Sequence, residues 1–359
     1  MLRDWDRLVE RTPGTDVTQL SAWARVRATG GFEPVYLFAH HAGELVGGAQ
    51  ILTRRLPVLG GVGYLPYGPL IDPAVEDRSM VRHGLARGLR RLCRRRLRML
   101  FVQPPEGAED LSADLLAHGF RPSSADIAPA GSIRIDLDED LEVIRSRFGK
   151  RLRSWPNRWA ARGVTVEVGG EKDVPLLAAL MAHTAKRQGF SAPPHDYIAS
   201  LYRQLVAGDN AALFVGRVGG VAVAADLVTV CGGMIRGRLT GFDRCGEAAR
   251  LSVPAAIRWE IIKWGKARGL RWLDFGGLSA ATLDALLGGG EATQVSTTDQ
   301  PKLTFGGTPF RYPQAVELVG PAPLRMVYDL ARHSSRGRQV INEAQRILRG
   351  HNAGQDGDG

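Results

Sequence analysis

The sequence predicts a mixed α/β protein made of two units of similar plan, each a mixed sheet flanked by helices. The chain has 359 residues, and domains commonly hold about 100 to 200, so two hydrophobic cores are expected. A repeat supports this division, because residues 37–51 align with residues 213–227 at a constant offset of 176. Each copy is typical of two strands joined by a tight turn that contains glycine. A helix and a buried strand follow each copy, so the whole pattern occurs twice.

The other elements are assigned in chain order. After the hairpins, the pattern predicts helix–strand pairs at 81–96 with 98–102 and at 253–267 with 270–275. Between the hairpins it predicts a strand at 133–137 that closes the first unit, a basic helix at 139–162, a strand at 164–168 that opens the second unit, and helices at 173–188 and 196–207. We therefore place the units at 1–140 and 141–319. Helices within 320–350, at 324–330 and 337–348, are predicted to pack back on the first unit, and 351–359 is predicted to be a disordered tail.

The composition narrows the class of protein. A hydrophobic fraction of 44% with 23% charged residues is enough to fill two cores. The three cysteines, Cys93, Cys231 and Cys245, cannot form a paired disulfide framework and lack zinc-binding spacing, so no metal site is expected. No run approaches the roughly 18 consecutive apolar residues that suggest a membrane-spanning helix. These features favour a cytoplasmic protein.

The positive charge is clustered. The net charge is +10, with six lysines and 41 arginines. Residues 82–98 carry eight arginines and residues 145–162 carry seven positive charges, in both cases without an acidic residue. Such segments are either solvated helix faces or binding surfaces for a polyanion, which here could be tRNA, a nucleotide diphosphate or an anionic membrane surface. Arg94, Arg95, Arg151 and Arg153 are the candidate tRNA contacts; DNA is not an expected partner.

Six short motifs occur in order along the chain. They are Ser-Ala-Trp-Ala-Arg-Val-Arg at 21–27 with Gly-Phe-Glu-Pro at 31–34; Arg-Arg-Leu-Pro at 54–57 with Tyr-Leu-Pro-Tyr-Gly-Pro at 64–69; Thr-Ala-Lys-Arg-Gln-Gly-Phe at 184–190; Trp-Glu at 259–260 with Ala-Arg-Gly at 267–269; Asp-Phe-Gly-Gly at 274–277; and Lys-Leu-Thr-Phe-Gly-Gly at 302–307. Together with the repeat, they resemble the Fem family, the aminoacyl-tRNA-dependent transferases that build peptidoglycan cross-bridges on a duplicated GNAT-like fold.

The resemblance implies a site. Lys302 matches the family lysine thought to stabilise the tetrahedral intermediate and the leaving ribose, and Asp274 stands where it could orient an amine or hydroxyl. By the same resemblance, Arg27 and Arg187 would bind the diphosphate of a nucleotide- or lipid-linked acceptor, and Tyr64, Tyr67 and Phe305 would contact substrate. No cofactor is expected, because an aminoacyl ester is already activated toward amines.

Two departures from the family pattern concern the site. Pro301 replaces the usual Phe before the lysine, and its ring removes a backbone N–H there. Gln103-Pro104-Pro105-Glu106 lacks the Asp with which family members contact a muropeptide acceptor. An acceptor amine on a specialised metabolite, such as a peptidyl antibiotic, is therefore an alternative to a peptidoglycan precursor.

Two other functions stay open. A CoA-dependent GNAT N-acyltransferase would hold pyrophosphate with an Arg-x-x-Gly-x-Ala loop, and residues 217–222 satisfy this pattern. They fall in the predicted turn of the second hairpin and not before a helix, so we interpret the match as chance. The other alternative is a non-catalytic protein that binds RNA or anionic lipid through the basic segments, with peripheral membrane contact.

Overall fold

The computed structural model describes residues 1–56, 60–123, 125, 127–188, 191–243, 249–288, 295–296, 298–335 and 337. Its α-helices are α1 Leu2–Arg11, α2 Ser21–Ala28, α3 Arg78–Arg96, α4 Glu109–Ala117, α5 Leu141–Ser146, α6 Lys150–Arg153, α7 Val174–Gln188, α8 His195–Val206, α9 Val253–Ala267, α10 Ala280–Leu287, α11 Gln300–Leu303 and α12 Ala322–His333. Its strands are β1 Glu33–His41, β2 Glu44–Leu56, β3 Gly60–Pro66, β4 Leu70–Ile71, β5 Met99–Gln103, β6 Arg121–Pro122, β7 Gly131–Asp136, β8 Val164–Gly169, β9 Ala211–Val218, β10 Val221–Cys231, β11 Met234–Phe242, β12 Trp272–Leu278, β13 Thr308–Arg311 and β14 Val316–Val319.

The chain forms two compact units, one of Met1–Ala130 with the described residues from Arg311 onward, the other of Gly131–Phe310. The first holds a sheet in the order β1-β2-β3-β5-β14-β6, with β4 paired to β2. The second holds a sheet in the order β13-β7-β12-β11-β10-β9-β8. Both mix parallel and antiparallel pairs, since β3 runs parallel to β5 and β11 parallel to β12. The predicted mixed α/β class with two similar units is confirmed.

Each sheet is covered by the helix that the periodicity predicted. Helix α3 buries Leu89 and Cys93 in the main core cluster of the first unit and Leu85 in a smaller cluster beside it. Helix α9 buries Ile257 and Ile261 in the core of the second. Because these apolar positions recur at helical spacing, the opposite face of each helix is left for polar side chains.

The two hairpins are confirmed, but their structural offset is 177 rather than 176. The turn residues are Ala42-Gly43 in the first hairpin and Gly219-Gly220 in the second, all with positive φ. A bulge follows each turn on the second strand, at Val46 and Val223. The sequence alignment matched single glycines, whereas the turn requires left-handed backbone at two adjacent positions. A one-residue difference exchanges the two faces of a strand.

The strand predicted at 133–137 does not close the first unit. As β7 it lies in the second sheet, where Ile135 is paired with Leu273 of β12, and its apolar side chains enter the core of that unit. The place beside β5 in the first sheet is taken by β14, which follows the second unit in sequence. The chain therefore passes between the units after Ala130 and again after Phe310, not at the predicted boundaries of 140 and 319.

The single helix predicted at 139–162 is also wrong. The segment forms the short helices α5 and α6 and a 3₁₀ turn at Ala160–Arg162. Gly149 precedes α6 outside helical geometry, and Pro156 lacks the backbone N–H that a continuing helix needs. By contrast, α7 and α8 agree with the helices predicted at 173–188 and 196–207 within one residue.

Helix α12 packs on the first unit. Tyr328 Oη lies 3.5 Å from a carboxylate oxygen of Glu317 on β14, and Arg121 donates to both carboxylate oxygens of Asp329 at 2.7 and 2.9 Å. The predicted helix at 337–348, apart from Gly337, and the predicted tail at 351–359 lie outside the described residues. Within the described part of the chain, no helix combines the length and apolar character needed to cross a bilayer.

Candidate active site

In the second unit, two parallel strands part near the predicted catalytic residues. Strands β11 and β12 pair from Met234 opposite Trp272 to Arg236 opposite Asp274, and the ladder stops there although both strands continue. On the other edge of β12, the register with β7 is interrupted between Asp274 and Gly277. Diverging strands of this kind leave backbone donors and acceptors available along the opening.

Lys302 lies at the end of this opening, on α11. Its Nζ donates to the carbonyl oxygen of Gly277 on β12 and, at 3.2 Å, to Oδ1 of Asp299. An ammonium has three N–H donors, so one is left after these two acceptors. The side chain is 18% exposed, and that third donor is the group available to a substrate oxygen.

Burial lowers the pKa of Lys302, because the charged form loses solvation. The negative charge and hydrogen bond of Asp299 act in the opposite direction, as does the charge of Asp274, while the positive charge of Arg258 lowers the pKa further. The net direction is downward. An ammonium with a lowered pKa is a better proton donor than an ordinary lysine and still carries positive charge when protonated.

Asp299 is a site residue that the sequence did not indicate. It is buried and accepts hydrogen bonds from Lys302 and from the backbone N–H of Ser279 at 3.0 Å. Burial alone would raise the pKa of Asp299, but the Ser279 hydrogen bond and the charge of Lys302 outweigh it, so the pKa lies below its ordinary value. The spacing of three residues between an acid and a lysine was the signal that could have identified the pair.

The carboxylate of Asp274, which was predicted to be catalytic, already accepts hydrogen bonds from other residues of the protein. Its Oδ2 accepts from Arg236 Nε at 2.9 Å, and its Oδ1 accepts from the Gly276 backbone N–H at 2.8 Å and from Ser132 Oγ. Only 1% of the residue is exposed. Asp274 therefore links β7, β11 and β12 through these hydrogen bonds. Its negative charge also raises the pKa of Lys302.

A second buried ion pair, also missed by sequence reasoning, lies near Lys302. Arg258 on α9 pairs with Asp226 on β10 at 2.6 Å, and Thr240 donates to the same carboxylate at 3.0 Å. Burial raises the pKa of Asp226, opposed by Arg258. The ion pair holds Arg258 close enough to Lys302 for the positive charge of Arg258 to lower the pKa of Lys302.

Phe305, predicted to contact substrate, is a core residue instead. It is buried, with its ring centroid 5.2 Å from that of Phe148 and 5.0 Å from that of Phe275. The next residue, Gly306, has φ +67°, and a Cβ there would collide with the carbonyl oxygen of Arg147. The Phe-Gly pair of the motif therefore anchors the segment that carries Lys302.

The predicted acceptor residues of the first unit are also largely buried. Arg27 on α2 is 4% exposed and stacks 4.3 Å over the ring of Phe32. Tyr64 on β3 lies 3.4 Å from the carbonyl oxygen of Ile127, and Tyr67, with φ +50°, packs 5.0 Å from Tyr312. Arg187 lies on α7, with its side chain outside the described residues.

The predicted tRNA contacts belong to two different units. Arg94 and Arg95 are exposed in the last turn of α3. Arg151 and Arg153 are exposed on α6, where Arg153 donates to the carbonyl oxygen of Phe148 at 3.1 Å. Within the described ranges, no cluster of three or more possible metal ligands occurs.

The glycine pattern at 217–222 forms the turn between β9 and β10, and Arg217 pairs with Glu167 at 2.8 Å. It does not precede a helix. The pattern therefore lacks the helix N-terminus that a pyrophosphate loop uses.

Comparison with known proteins agrees with this architecture. A family model for the acetyltransferase (GNAT) domain matches residues 145–285, inside the second unit. The Lipid II:glycine glycyltransferase of Staphylococcus aureus (strain MRSA252) is 24% identical over 225 residues, which is 59% of this chain and 53% of that protein. The chain thus spans about half the length of the curated relatives it matches. The crystal structure of FemX superimposes with a TM-score of 0.79 at 16% identity, covering 91% of this chain and 98% of FemX.

The chain has a Fem-type fold of two GNAT-like units. A tandem GNAT protein from the clavulanic acid biosynthesis pathway shares it more loosely, with a TM-score of 0.51 at 14% identity over 89% of this chain and 95% of that one. Within the Fem-type fold of this chain, Lys302 belongs to the unit that contains the matched GNAT segment, at the point where two central strands part.

Proposed function

We propose that this chain is an aminoacyltransferase that moves glycine or another small amino acid from aminoacyl-tRNA to an amine and forms an amide bond. One observation carries the proposal: the Lys302 ammonium is mostly buried at the opening between β11 and β12 and retains one N–H donor beyond its two protein acceptors. The Fem-type fold supports it.

The proposed acceptor is the amine of a peptidoglycan precursor, carried on a lipid or a nucleotide. The support is a relative named Lipid II:glycine glycyltransferase, matched over about half its length. The missing Asp in Gln103–Glu106 keeps an antibiotic amine as the second acceptor to test. A cytoplasmic location and the absence of a cofactor remain predictions.

In the proposed reaction, the neutral amine attacks the ester carbonyl carbon of the donor. A C–N bond forms, the C–O bond to the tRNA ribose breaks, the amine loses a proton and the ribose oxygen gains one. The third N–H of Lys302 would face the negative charge that develops on oxygen, and burial strengthens this interaction because water does not screen it. The lowered pKa of Lys302 suits it to pass a proton to the ribose oxygen.

The test is transfer of radiolabelled glycine from glycyl-tRNA to Lipid II, to its nucleotide-linked precursor or to an antibiotic amine. Lys302→Met should lower kcat by about 100-fold or more, the typical effect of losing one oxyanion donor. Lys263→Met is the matched control, because Lys263 also has an acid three residues earlier, Glu260 at 2.7 Å, but is 40% exposed. Heat unfolding of both variants checks that they are folded.

Full activity in Lys302→Met would contradict the site. Transfer that persists after RNase has destroyed the charged tRNA would contradict the donor, and so would acetyl transfer accompanied by tight acetyl-CoA binding in calorimetry. Absence of turnover with every donor would favour the non-catalytic binding protein instead.

A further inference from the structure

Helix α3 carries a row of arginines on its solvent face. Five of them line a surface groove of about 250 Å³, and we name this set the arginine stripe: Arg87, Arg90, Arg91, Arg94 and Arg95. The opposite face of α3 is buried in the first unit by Leu85, Leu89 and Cys93. Because burial of that face fixes the orientation of α3, the arginine stripe faces solvent.

The arginine stripe is not neutralised by the protein. Among the described residues, none of its five side chains takes part in an ion pair or hydrogen bond, whereas the Arg82 side chain on the same helix pairs with Asp110 and Asp114 of α4. Like charges three and four residues apart on a helix repel one another. The helix dipole favours the cations in the last turn, Arg94 and Arg95, but Arg87, Arg90 and Arg91 lie before it. An external anion would relieve this repulsion.

The geometry favours a linear anion. Arg87, Arg91 and Arg95 are spaced four residues apart, as are Arg90 and Arg94, so the stripe forms two rows with a repeat of about 6 Å along the helix axis. Guanidinium groups bind phosphates in a bidentate manner. Regularly spaced cations of this kind suit a chain of regularly spaced phosphates.

A flat anionic surface fits less well. Helix α4 packs beside α3 and exposes Glu109 and Asp110 in its first turn. These carboxylates would repel an anionic surface broad enough to cover both helices, whereas a single strand lying along α3 need not cover α4. Among the described residues of α3, Met80 is the only large apolar side chain that is exposed, at 48%, so the helix offers little apolar surface to enter a bilayer.

We propose that the arginine stripe binds the phosphate backbone of RNA. The inference rests on the proposed function, in which the donor is RNA-linked, and adds the surface that holds the RNA. The proposal also distinguishes between the two basic segments of the sequence, because it assigns RNA binding to the one on α3. In the segment 145–162, three of the seven cations are engaged by the protein, since Arg145 and Arg147 pair with Glu142 and Glu139 and Arg153 donates to the Phe148 carbonyl, whereas no side chain of the stripe has such a partner among the described residues.

The test measures binding of fluorescent, uncharged tRNA by anisotropy at several salt concentrations. Replacing Arg87, Arg91 and Arg95 together by Gln should weaken binding at least tenfold and reduce the slope of log K against log salt by about 2 to 3, since each phosphate contact contributes about 0.7 to 0.9. The same three positions changed to Lys should keep most of the slope, because the charge remains. The control changes Arg3, Arg7 and Arg55, exposed on α1 and β2, to Gln and alters net charge equally.

An unchanged affinity and slope in the Gln variant would overturn the inference, as would an equal loss in the control. A Gln variant that loses binding to phosphatidylglycerol vesicles but keeps tRNA binding would assign the stripe to a membrane and also overturn it. Transfer activity is measured separately. If the Gln variant binds tRNA normally and transfers glycine, only this inference fails; if the stripe binds tRNA but no transfer occurs, only the proposed function fails.

Discussion

Lys302 and Asp299 act as a pair in which each charge alters the pKa of the other. Asp299 opposes the effect of burial on Lys302, so its removal should lower the pKa of Lys302 further. If protonated Lys302 is needed for transfer, Asp299→Asn should move the alkaline limb of the rate profile to lower pH. Initial rates measured across pH in both proteins check this.

The control for that experiment is Glu260→Gln, which removes the equivalent partner of the exposed Lys263. It should leave the profile in place. An alkaline limb at the same pH in Asp299→Asn and wild type would show that the ionisation of Lys302 does not govern the rate.

Substitution of Asp274 can distinguish the catalytic role that the sequence implied from the structural role that its contacts indicate. The Asp274 side chain is 1% exposed and the Arg236 side chain 8%, so Asp274→Asn removes a buried carboxylate charge that pairs with the Arg236 guanidinium. Loss of one partner of a buried pair typically costs about 3 to 5 kcal/mol. We therefore expect the free energy of unfolding, measured with denaturant, to fall by about this amount, while the folded variant keeps transfer activity within about tenfold.

Ser132→Ala provides the comparison, because it removes a neutral hydroxyl that donates to the same carboxylate or to the Gly276 carbonyl and should cost about 1 kcal/mol. A stable Asp274→Asn protein with no transfer would restore the catalytic role that the sequence implied.

Some residues of the candidate site could be predicted from the sequence and others could not. Lys302 stands in a recognisable motif and is one of only six lysines in the chain. Asp226 and Arg258 are 32 positions apart and meet only because α9 packs on the sheet. No local pattern encodes that contact, so sequence reasoning could not assign the pair.

At the level of elements, α11 depends on how its motif is anchored. Gly306 combines φ +67° with direct contact to the Arg147 carbonyl, so Gly306→Ala adds both backbone strain and a collision. We expect a loss of more than about 1 kcal/mol in unfolding free energy and a lower kcat, because Lys302 lies four residues away. Chemical denaturation and steady-state kinetics measure the two effects.

Gly84→Ala tests the same substitution where the structure has room. Gly84 lies inside α3, and a Cβ there would meet nothing within 4 Å. Alanine should stabilise the helix by about 0.5 to 1 kcal/mol. Equal destabilisation by both substitutions would show that the backbone at Gly306 carries no special requirement.

The elements themselves were predictable where their signal is local. Helical periodicity located α3 and α9, and paired hairpins located β1–β2 and β9–β10. The sheet to which β7 belongs was not predictable in the same way, because its partner β12 lies more than 130 residues downstream. An isolated strand pattern shows that a strand forms but not where it pairs.

For the whole molecule, the positions of β7 in the second sheet and β14 in the first determine where the chain can be divided into fragments. The second sheet needs β7, which lies between β13 and β12, and the first needs β14, which lies between β5 and β6. A fragment of residues 131–311 contains every strand of the second sheet. A fragment of 141–319, cut at the boundaries that the sequence suggested, lacks an inner strand and the buried Ile133 and Ile135.

We therefore expect fragment 131–311 to unfold cooperatively on heating, with a near-ultraviolet circular dichroism signal from packed aromatic residues. Fragment 141–319 should lose both properties, because removing an inner strand leaves two sheet edges unpaired and opens the core. A third fragment, 125–311, controls for the added N-terminal length and should match 131–311. Equally cooperative unfolding of 141–319 would show that β7 is dispensable, and the second unit would then begin where the sequence alone placed it.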